Sequence, residues 1–325
     1  MASIITRRTA LAGLAGSVAT FVAPAARAAD KLRVGKSVVQ NFGFIPLDVG
    51  MSAGIFAQHG LDIEELNFNG GAKLAQAVTA GAVDISLSAG PEMAFVAKGA
   101  PEIAVGSISS SPSFMGMNVG ADAKGSGIDA LKGQTIGITS AGSLTQWLVN
   151  ELNRVKGWSG TDSAVPVVIG GSGPGQVAAI KTKAVFAVVA GVTLGFELEE
   201  QHEGHVLVDC SSFVNNLELY TTFASNDVIA RNPDAVRRFL KAWYETVAYM
   251  KQHKPETVAA TSKVIGFTQP VSERTYDALL SKLSTDGSFA PSALAALSAS
   301  FVDLGVLKPP IDMSKLYTEK FLPKG

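Results

Sequence analysis

Cysteine is almost absent from this sequence, because Cys210 is the single residue of that type among 325. A lone cysteine cannot form an internal disulfide, and it excludes a cysteine-rich metal site. We therefore expect the fold to be stabilised by its apolar core, and we expect no metal ion.

An excess of positive charge is missing as well. The 27 lysine and arginine residues are balanced by 28 aspartate and glutamate residues. No stretch gathers basic side chains into the stripe that attracts nucleic acids or anionic membranes. The sequence therefore predicts neither a nucleic acid nor a membrane surface as a partner.

Long hydrophobic runs are missing after residue 28, where no segment reaches the about 18 uninterrupted apolar residues of a membrane helix. Before that point, Arg7 and Arg8 precede an alanine-rich apolar run, and Ala26-Arg27-Ala28 has the small-x-small pattern of a cleavage site. This layout predicts an export signal over residues 1–28, cleavage after Ala28, and a soluble periplasmic protein. The arginine pair resembles a twin-arginine signal, and the general secretory route is the alternative.

Strand, polar or glycine loop, and helix follow one another three times within residues 45–90. Residues 61–68 alternate apolar and polar side chains as a strand does, and Asn69-Gly70-Gly71 ends that strand. Pro46 and Pro91 stand where helices begin. In α/β proteins such loops collect at one edge of a parallel sheet, and small molecules bind at that edge.

A second copy of this pattern starts with a strand over 134–139 and a helix over 144–156. Two extended segments, 114–119 and 219–224, would carry the chain into this second array and back. These features predict an α/β protein of two similar lobes, joined by two hinge strands, with a ligand cleft at the junction.

The predicted division of the chain follows from these two crossings. Lobe 1 is expected to comprise residues 29–118 and 225–325, and its last hundred residues read as four helices. Lobe 2 is expected to be an insertion formed by residues 119–224. Such a lobe pair is expected to be a monomer.

Seven short motifs follow one another along the chain. They are Phe44-Ile45-Pro46-Leu47, Gly54-Ile55-Phe56, Gly60-Leu61-Asp62-Ile63, Phe68-x-Gly70-Gly71, Gly81-x-Val83-Asp84, Leu131-Lys132-Gly133-x-x-Ile136-Gly137 and Ser140-x-Gly142-Ser143-x-Thr145. Together they resemble the nitrate/sulfonate/taurine family. These are periplasmic substrate-binding proteins of ABC transporters, grouped with thiamine-precursor-binding relatives. The resemblance implies the type II periplasmic binding protein fold, closure on a small ligand, and delivery to a membrane permease with its ATPase.

Three loops are expected to form the lobe 1 side of the ligand site. They offer hydrogen-bonding side chains, an apolar wall, and glycines that let a ligand approach the backbone. The predicted residues are Ser37, Gln40, Asn41, Phe42, Gly70, Gly71, Ser88, Ala89 and Gly90.

A strand-to-helix joint over residues 140–145 is expected to lead the lobe 2 side. Its small residues expose backbone N–H groups at a helix start, and its hydroxyls add further donors. A glycine loop and a later strand-to-helix turn complete this side. The predicted residues are Ser140, Gly142, Ser143, Thr145, Trp147, Gly171, Ser172, Gly191 and Thr193.

The ligand is expected to be a small organic anion, such as a sulfonate, a carboxylate or an aromatic acid. Ala190 stands where relatives resembling this chain often have an aromatic residue, which predicts a pocket wider than nitrate or bicarbonate requires. Trp147 would supply aromatic surface instead. Lys36 or Lys73 would pair with the anionic head.

Two other functions stay open at this stage. A thiamine-pyrimidine-precursor binding protein, or a related enzyme, shares the lobe pattern, but those enzymes have a cysteine-rich motif and this chain has Cys210 alone. A module that passes its ligand to a sensor would use the same cleft. The most metal-like cluster, His202-Glu203-Gly204-His205, is typical of a helix end instead. We expect no catalytic residue and no cofactor.

Overall fold

The structure, a computed structural model, describes residues 29–324. The predicted export signal therefore lies outside the described residues. Within the described part of the chain, no helix combines the length and apolarity needed to cross a membrane.

The first part of the chain alternates strands and helices in the predicted order. Its elements are β1 (Asp30–Lys36), α1 (Ile45–Ser52), α2 (Ile55–Gln58), β2 (Leu61–Asn67), α3 (Gly71–Thr79), β3 (Ile85–Ala89), α4 (Met93–Ala97) and β4 (Glu102–Ser109).

The middle of the chain repeats the alternation. Its elements are β5 (Met115–Gly120), β6 (Thr135–Ile138), α5 (Leu144–Lys156), β7 (Val165–Val168), α6 (Gly173–Lys181), β8 (Ala187–Gly191), α7 (Val192–Glu200) and β9 (Gly204–Asp209).

The last part of the chain contributes one strand and then helices. These elements are β10 (Tyr220–Ser225), α8 (Asn226–Arg231), α9 (Pro233–Gln252), α10 (Lys254–Ile265), α11 (Gln269–Leu279) and α12 (Pro291–Asp303).

Two five-stranded sheets of the same design organise the described residues. The first has the order β2-β1-β3-β10-β4 and the second the order β7-β6-β8-β5-β9. In each sheet the fourth strand runs antiparallel to its neighbours, while the first three are parallel. The prediction of two similar α/β lobes is therefore confirmed.

The chain crosses between the sheets twice. It leaves the first sheet after Ser109 and returns to it at Tyr220, so the connections are residues 110–114 and 210–219. The predicted divisions after 118 and 224 fall within β5 and one residue before the end of β10. They lie too late because β5 pairs along its length with β8 and β9, whereas β10 pairs with β3 and β4.

The helix after the first loop is shorter than its sequence pattern suggests. Apolar residues at four-residue spacing predict one helix from Pro46 to Gly60, but the structure has α1 and α2 with Gly54 between them. Gly54 has a φ of 71°, a left-handed conformation that ends the first helix. The C-terminal helices pack on lobe 1 as expected, with Phe239 of α9 stacked on Phe56 at 5.4 Å.

A buried ion cluster fixes the end of β1. Lys36 has no exposed surface, and its Nζ lies 3.0 Å from Asp48 Oδ1 and 2.7 Å from Glu65 Oε1. Burial raises the pKa of Asp48 to about 6, although Lys36 opposes this shift. The prediction that Lys36 pairs with a ligand is wrong, because its charge is neutralised inside lobe 1. Lys73 is exposed on α3.

We predict that Lys36→Met lowers the free energy of unfolding at pH 7 by about 3–5 kcal/mol, because it leaves the carboxyl groups of Asp48 and Glu65 without their cation. Urea denaturation measures this change. Lys73→Met, the same substitution at an exposed position, is expected to have little effect. Equal unfolding midpoints for Lys36→Met and the unsubstituted protein would contradict the structural role.

Candidate functional site

A cavity lies between the two lobes, where the loops at their sheet edges meet. Its volume is about 660 Å³, counting its opening to solvent. We call it the interlobe cavity. Lobe 1 contributes Ser37, Val38, Gln40, Asn41, Gly71, Ala89, Glu92, Tyr220 and Phe267 to its wall. Lobe 2 contributes Met115, Thr139, Ser143, Leu144, Thr145, Gly171, Gly173, Gln176, Val189, Ala190, Gly191 and Leu194.

Direct hydrogen bonds close the lobes over this cavity. The side chain of Gln40 accepts from the backbone N–H of Gly173 at 2.5 Å and donates to the Ile265 carbonyl at 2.7 Å. Asn69 Oδ1 accepts from the backbone N–H of Gly171. The glycine loop of lobe 2 is thus held by two amide side chains of lobe 1.

A second set of contacts joins the lobes outside the cavity. Arg274 of α11 lies 2.7 Å from Glu199 of α7, and its guanidinium covers the ring of Phe196 at 3.8 Å. Trp147 Nε1 donates to Ser300 Oγ at 3.0 Å. The lobes therefore touch at several separate points, and the structure shows the closed arrangement.

The hydroxyl groups of the joint before α5 bond mainly to one another. Ser143 Oγ donates to the Ser140 carbonyl at 2.7 Å, and Thr145 Oγ1 accepts from the backbone N–H of Thr139 at 2.9 Å. The Ser143 and Thr145 oxygens lie 2.9 Å apart. These side chains line the cavity but first serve to shape their own loop.

Glu92 places a carboxyl group in the wall of the cavity. Glu92 is 6% exposed, and its Oε2 accepts a hydrogen bond from the backbone N–H of Ala89 at 3.2 Å. Burial raises the pKa of this carboxyl to about 8, while the amides of Ala89 and Leu144 lower it and Glu102 raises it further. Glu92 therefore carries a proton at neutral pH in the closed structure.

The cavity wall lacks a cation. None of its lining residues in the described chain is lysine, arginine or histidine. Its ionisable side chains are Glu92 and Tyr220, and burial raises the pKa of the Tyr220 hydroxyl as well. The remaining polar groups are amides, hydroxyls and backbone groups, set among apolar side chains.

Half of the predicted site residues lie in this wall. They are Ser37, Gln40, Asn41, Gly71, Ala89, Ser143, Thr145, Gly171 and Gly191. The others do not reach it. These are Phe42, Gly70, Ser88, Gly90, Ser140, Gly142, Trp147, Ser172 and Thr193.

The residues outside the wall have identifiable positions. Phe42 is buried in the lobe 1 core, and Trp147 faces Ser300 on the outer side of α5. A Cβ on Gly70 would lie 2.8 Å from Ser140 Oγ, so these two residues face each other across the lobe contact. The predicted residues that do not line the cavity are therefore not part of the proposed ligand site.

Sequence reasoning missed several lining residues. Glu92 follows Pro91, which the sequence places at the start of the third rim helix, so extending that loop by two residues would have included it. Phe267 comes from the distant α10–α11 connection, and Tyr220 lies at the start of β10. Their approach to the cavity depends on how the C-terminal helices and the returning strand pack, which local patterns do not encode.

The described residues thus form two lobes of the same sheet order with a cavity between them. The family model described as NMT1/THI5 like matches residues 41–257, about two thirds of the chain. The chain therefore belongs to the NMT1/THI5-like family.

Solved structures show the same fold. The alkanesulfonate-binding protein SsuA of Xanthomonas axonopodis pv. citri, bound to MOPS, has 18% sequence identity and a TM-score of 0.72, over 86% of this chain and 94% of that one. The nitrate-binding protein NrtA of Synechocystis PCC 6803 has 14% identity and a TM-score of 0.71, over 90% and 87%. NrtA is a periplasmic protein.

An enzyme also shares the fold. The desulfurization enzyme DszB has 14% identity and a TM-score of 0.61, over 90% of this chain and 97% of that one. No curated protein sequence matches the chain. At these identities the structural likeness establishes architecture, and the ligand has to be argued from the cavity itself.

The raised pKa of Glu92 predicts a pH-dependent stability. Between pH 4.5 and about 8 the folded chain keeps a proton that the unfolded chain releases, so the free energy of unfolding falls as pH rises through this interval. One such proton corresponds to about 1.4 kcal/mol per pH unit. We predict that Glu92→Gln reduces the slope by about this amount between pH 5.5 and 7, in urea denaturation without ligand.

Other groups set the background of that measurement. Burial raises the pKa of Glu102 to about 7 and that of Glu218 to about 8, so both add slope of the same sign. Tyr220 also faces Glu92 but titrates above this range. Glu200→Gln, at an exposed position, is the matched control and should keep the original slope. Identical slopes for Glu92→Gln and the unsubstituted protein would contradict the protonated state.

Proposed function

We propose that this chain is the extracytoplasmic solute-binding component of an ABC importer. It binds a small organic ligand in the interlobe cavity and delivers it to a membrane permease and its ATPase. The observation that carries this proposal is the enclosed cavity between two lobes of the same sheet order. Both lobes contribute backbone and side-chain groups to its wall.

The lining of the cavity favours an organic ligand. Val38, Leu144, Leu194 and Phe267 present apolar surface to the occupant. Ala190 stands in the wall without the bulk of an aromatic side chain. These features fit a body of several carbon atoms, held by a few polar groups.

The lining of the cavity does not favour the anionic ligand that the sequence predicts. The expected sulfonate, carboxylate or aromatic acid would find hydroxyls, amides and helix starts in the wall but no cationic side chain among the described residues. An anionic head would also have to keep the carboxyl of Glu92 protonated, whereas a cationic head could pair with its ionised form. A cation is therefore the better choice for this cavity.

Export and partners are part of the same proposal. The layout of residues 1–28 supports a cleaved signal peptide and a periplasmic location. NrtA, which shares the fold, is periplasmic. A monomer with a permease as its partner fits a protein whose lobes close on each other. A sensor fed by the same closed form is the alternative partner.

An enzymatic role has less support in the cavity. Cys210 is buried outside the cavity, and burial raises the pKa of its thiol, so the thiolate that attacks a substrate is disfavoured. The described lining residues include neither histidine nor lysine. The desulfurization enzyme DszB shares the fold, so an enzyme is the alternative function for this chain.

A thermal-shift screen with a cavity-filling variant tests the proposal. A Cβ on Gly191 would have Phe114 O as its nearest neighbour, at 3.8 Å, so Gly191→Val adds bulk to the cavity at little cost to the fold. A ligand at ~100 times its Kd adds ~2.7 kcal/mol of stability and raises Tm by several degrees. We predict that this increase is lost in Gly191→Val.

Gly175→Val is the matched control for that screen. Gly175 is exposed on α6 outside the cavity wall, and a Cβ there would meet Ser172 at 3.7 Å. This variant should keep the full shift. The panel comprises sulfonates, carboxylates, aromatic acids, amines and pyrimidines. No shift with any of them, for a folded protein, would count against solute binding.

A further inference from the structure

We propose that Glu92 selects the ligand by accepting a hydrogen bond from an N–H donor of the bound molecule. The ligand class is a cationic amine or amidine on an apolar body. This inference rests on the proposed solute-binding function and deepens it. It reverses the charge expected from the sequence, and it follows from where the carboxyl lies.

Glu92 occupies the place where an anionic ligand head would be held. Helix starts bind anions through their free N–H groups, and the starts of α3 and α5 both face this carboxyl. A Cβ on Gly71, the first residue of α3, would lie 1.9 Å from Glu92 Oε1, so the carboxyl packs directly against the backbone there. Leu144, the first residue of α5, donates its N–H to the same carboxyl. The chain thus supplies its own acidic group at both helix starts.

The surroundings offer this carboxyl no side-chain cation. Its ionisable neighbours are Glu102 and Tyr220, which add no positive charge. Lys36 is tied to Asp48 and Glu65 within lobe 1. A ligand cation placed beside this carboxyl would favour its ionised form and pair with it, and that ionised form would repel an anion.

The apolar part of the wall defines the rest of the ligand. Val38, Leu194 and Phe267 lie in the cavity wall with Glu92 and would surround a ring or a short alkyl chain. A neutral N–H donor leaves Glu92 protonated. A cationic amine displaces that proton to solvent, because an ion pair lowers the pKa of the carboxyl. Proton release on binding therefore distinguishes the two kinds of donor.

Ligands that share a scaffold but differ in charge test the proposal. Benzylamine, benzamidine and 2-aminopyridine are compared with benzoate and benzenesulfonate, and cyclohexylmethylamine is compared with cyclohexanecarboxylate. Binding is measured by thermal shift and then by calorimetry in two buffers of different ionisation enthalpy, which reports proton release. The proteins are the unsubstituted chain, Glu92→Gln, and Glu218→Gln. Glu218 is also fully buried with a raised pKa, but it lies outside the cavity wall.

The proposal predicts that the cationic donors bind at least ~10-fold more tightly than anions of the same scaffold. Glu92→Gln should weaken the binding of these cations by ~10–100-fold, because the amide cannot ionise to form an ion pair with them. Glu218→Gln should change it less than twofold. Anions that bind the unsubstituted protein more tightly than the donors, with equal or higher affinity in Glu92→Gln, would overturn the proposal and leave the solute-binding function standing. No binding by any member would overturn the solute-binding function itself.

A measurement on the unsubstituted protein replaces the variant if Glu92→Gln does not fold. Deprotonation of Glu92 should raise the affinity for a cationic donor between pH 6 and 9 and lower the affinity for benzoate. The proposal would be overturned if the affinity for the cationic donor fell and that for benzoate rose over this range, or if neither changed with pH.

Discussion

The two connections between the sheets constrain everything else in this molecule. The chain enters lobe 2 through residues 110–114 and returns through 210–219, so each lobe folds around its own sheet. Tyr220 packs at this junction, with its ring 5.2 Å from Phe44 and 5.5 Å from Phe114, and its hydroxyl donates to Met115 Sδ at 2.9 Å. Aromatic packing therefore holds the two lobes together at this junction.

Away from this junction, the lobes touch through contacts of a different kind. Gln40 and Asn69 bind backbone N–H groups of the lobe 2 glycine loop, and Arg274 reaches Glu199 at the surface. Such contacts can be exchanged for water when the lobes separate, whereas the aromatic packing at the junction cannot be. The proposed function requires the lobes to separate at these contacts and then to enclose the ligand, with Glu92 at the point where two helix starts meet.

Local patterns were sufficient for much of the fold. Helix α5 has the predicted ends, and Gly157 with a φ of 66° ends it. Asn232 caps the start of α9 by accepting from the Ala235 N–H at 3.1 Å. The alternation of strands and helices likewise predicted two lobes of one design. These features depend on residues close in sequence, which a single chain displays directly.

The site was less predictable because its chemistry depends on distant partners. Lys36 at a strand end resembled a ligand-binding cation, yet Asp48 and Glu65 neutralise it inside lobe 1. Trp147 turned to Ser300, a partner 153 residues away. Glu92 was adjacent to a predicted loop, but its significance comes from Gly71 and Leu144, which pack against it from two different helices and two different lobes.

A crystal structure with an amine or amidine bound tests the central claim most directly. The account predicts electron density for the ligand inside the interlobe cavity, between closed lobes, with a ligand nitrogen within hydrogen-bonding distance of the Glu92 carboxyl. A ligand bound elsewhere on the protein, or one in the cavity that turns an anionic group toward Glu92, would contradict it.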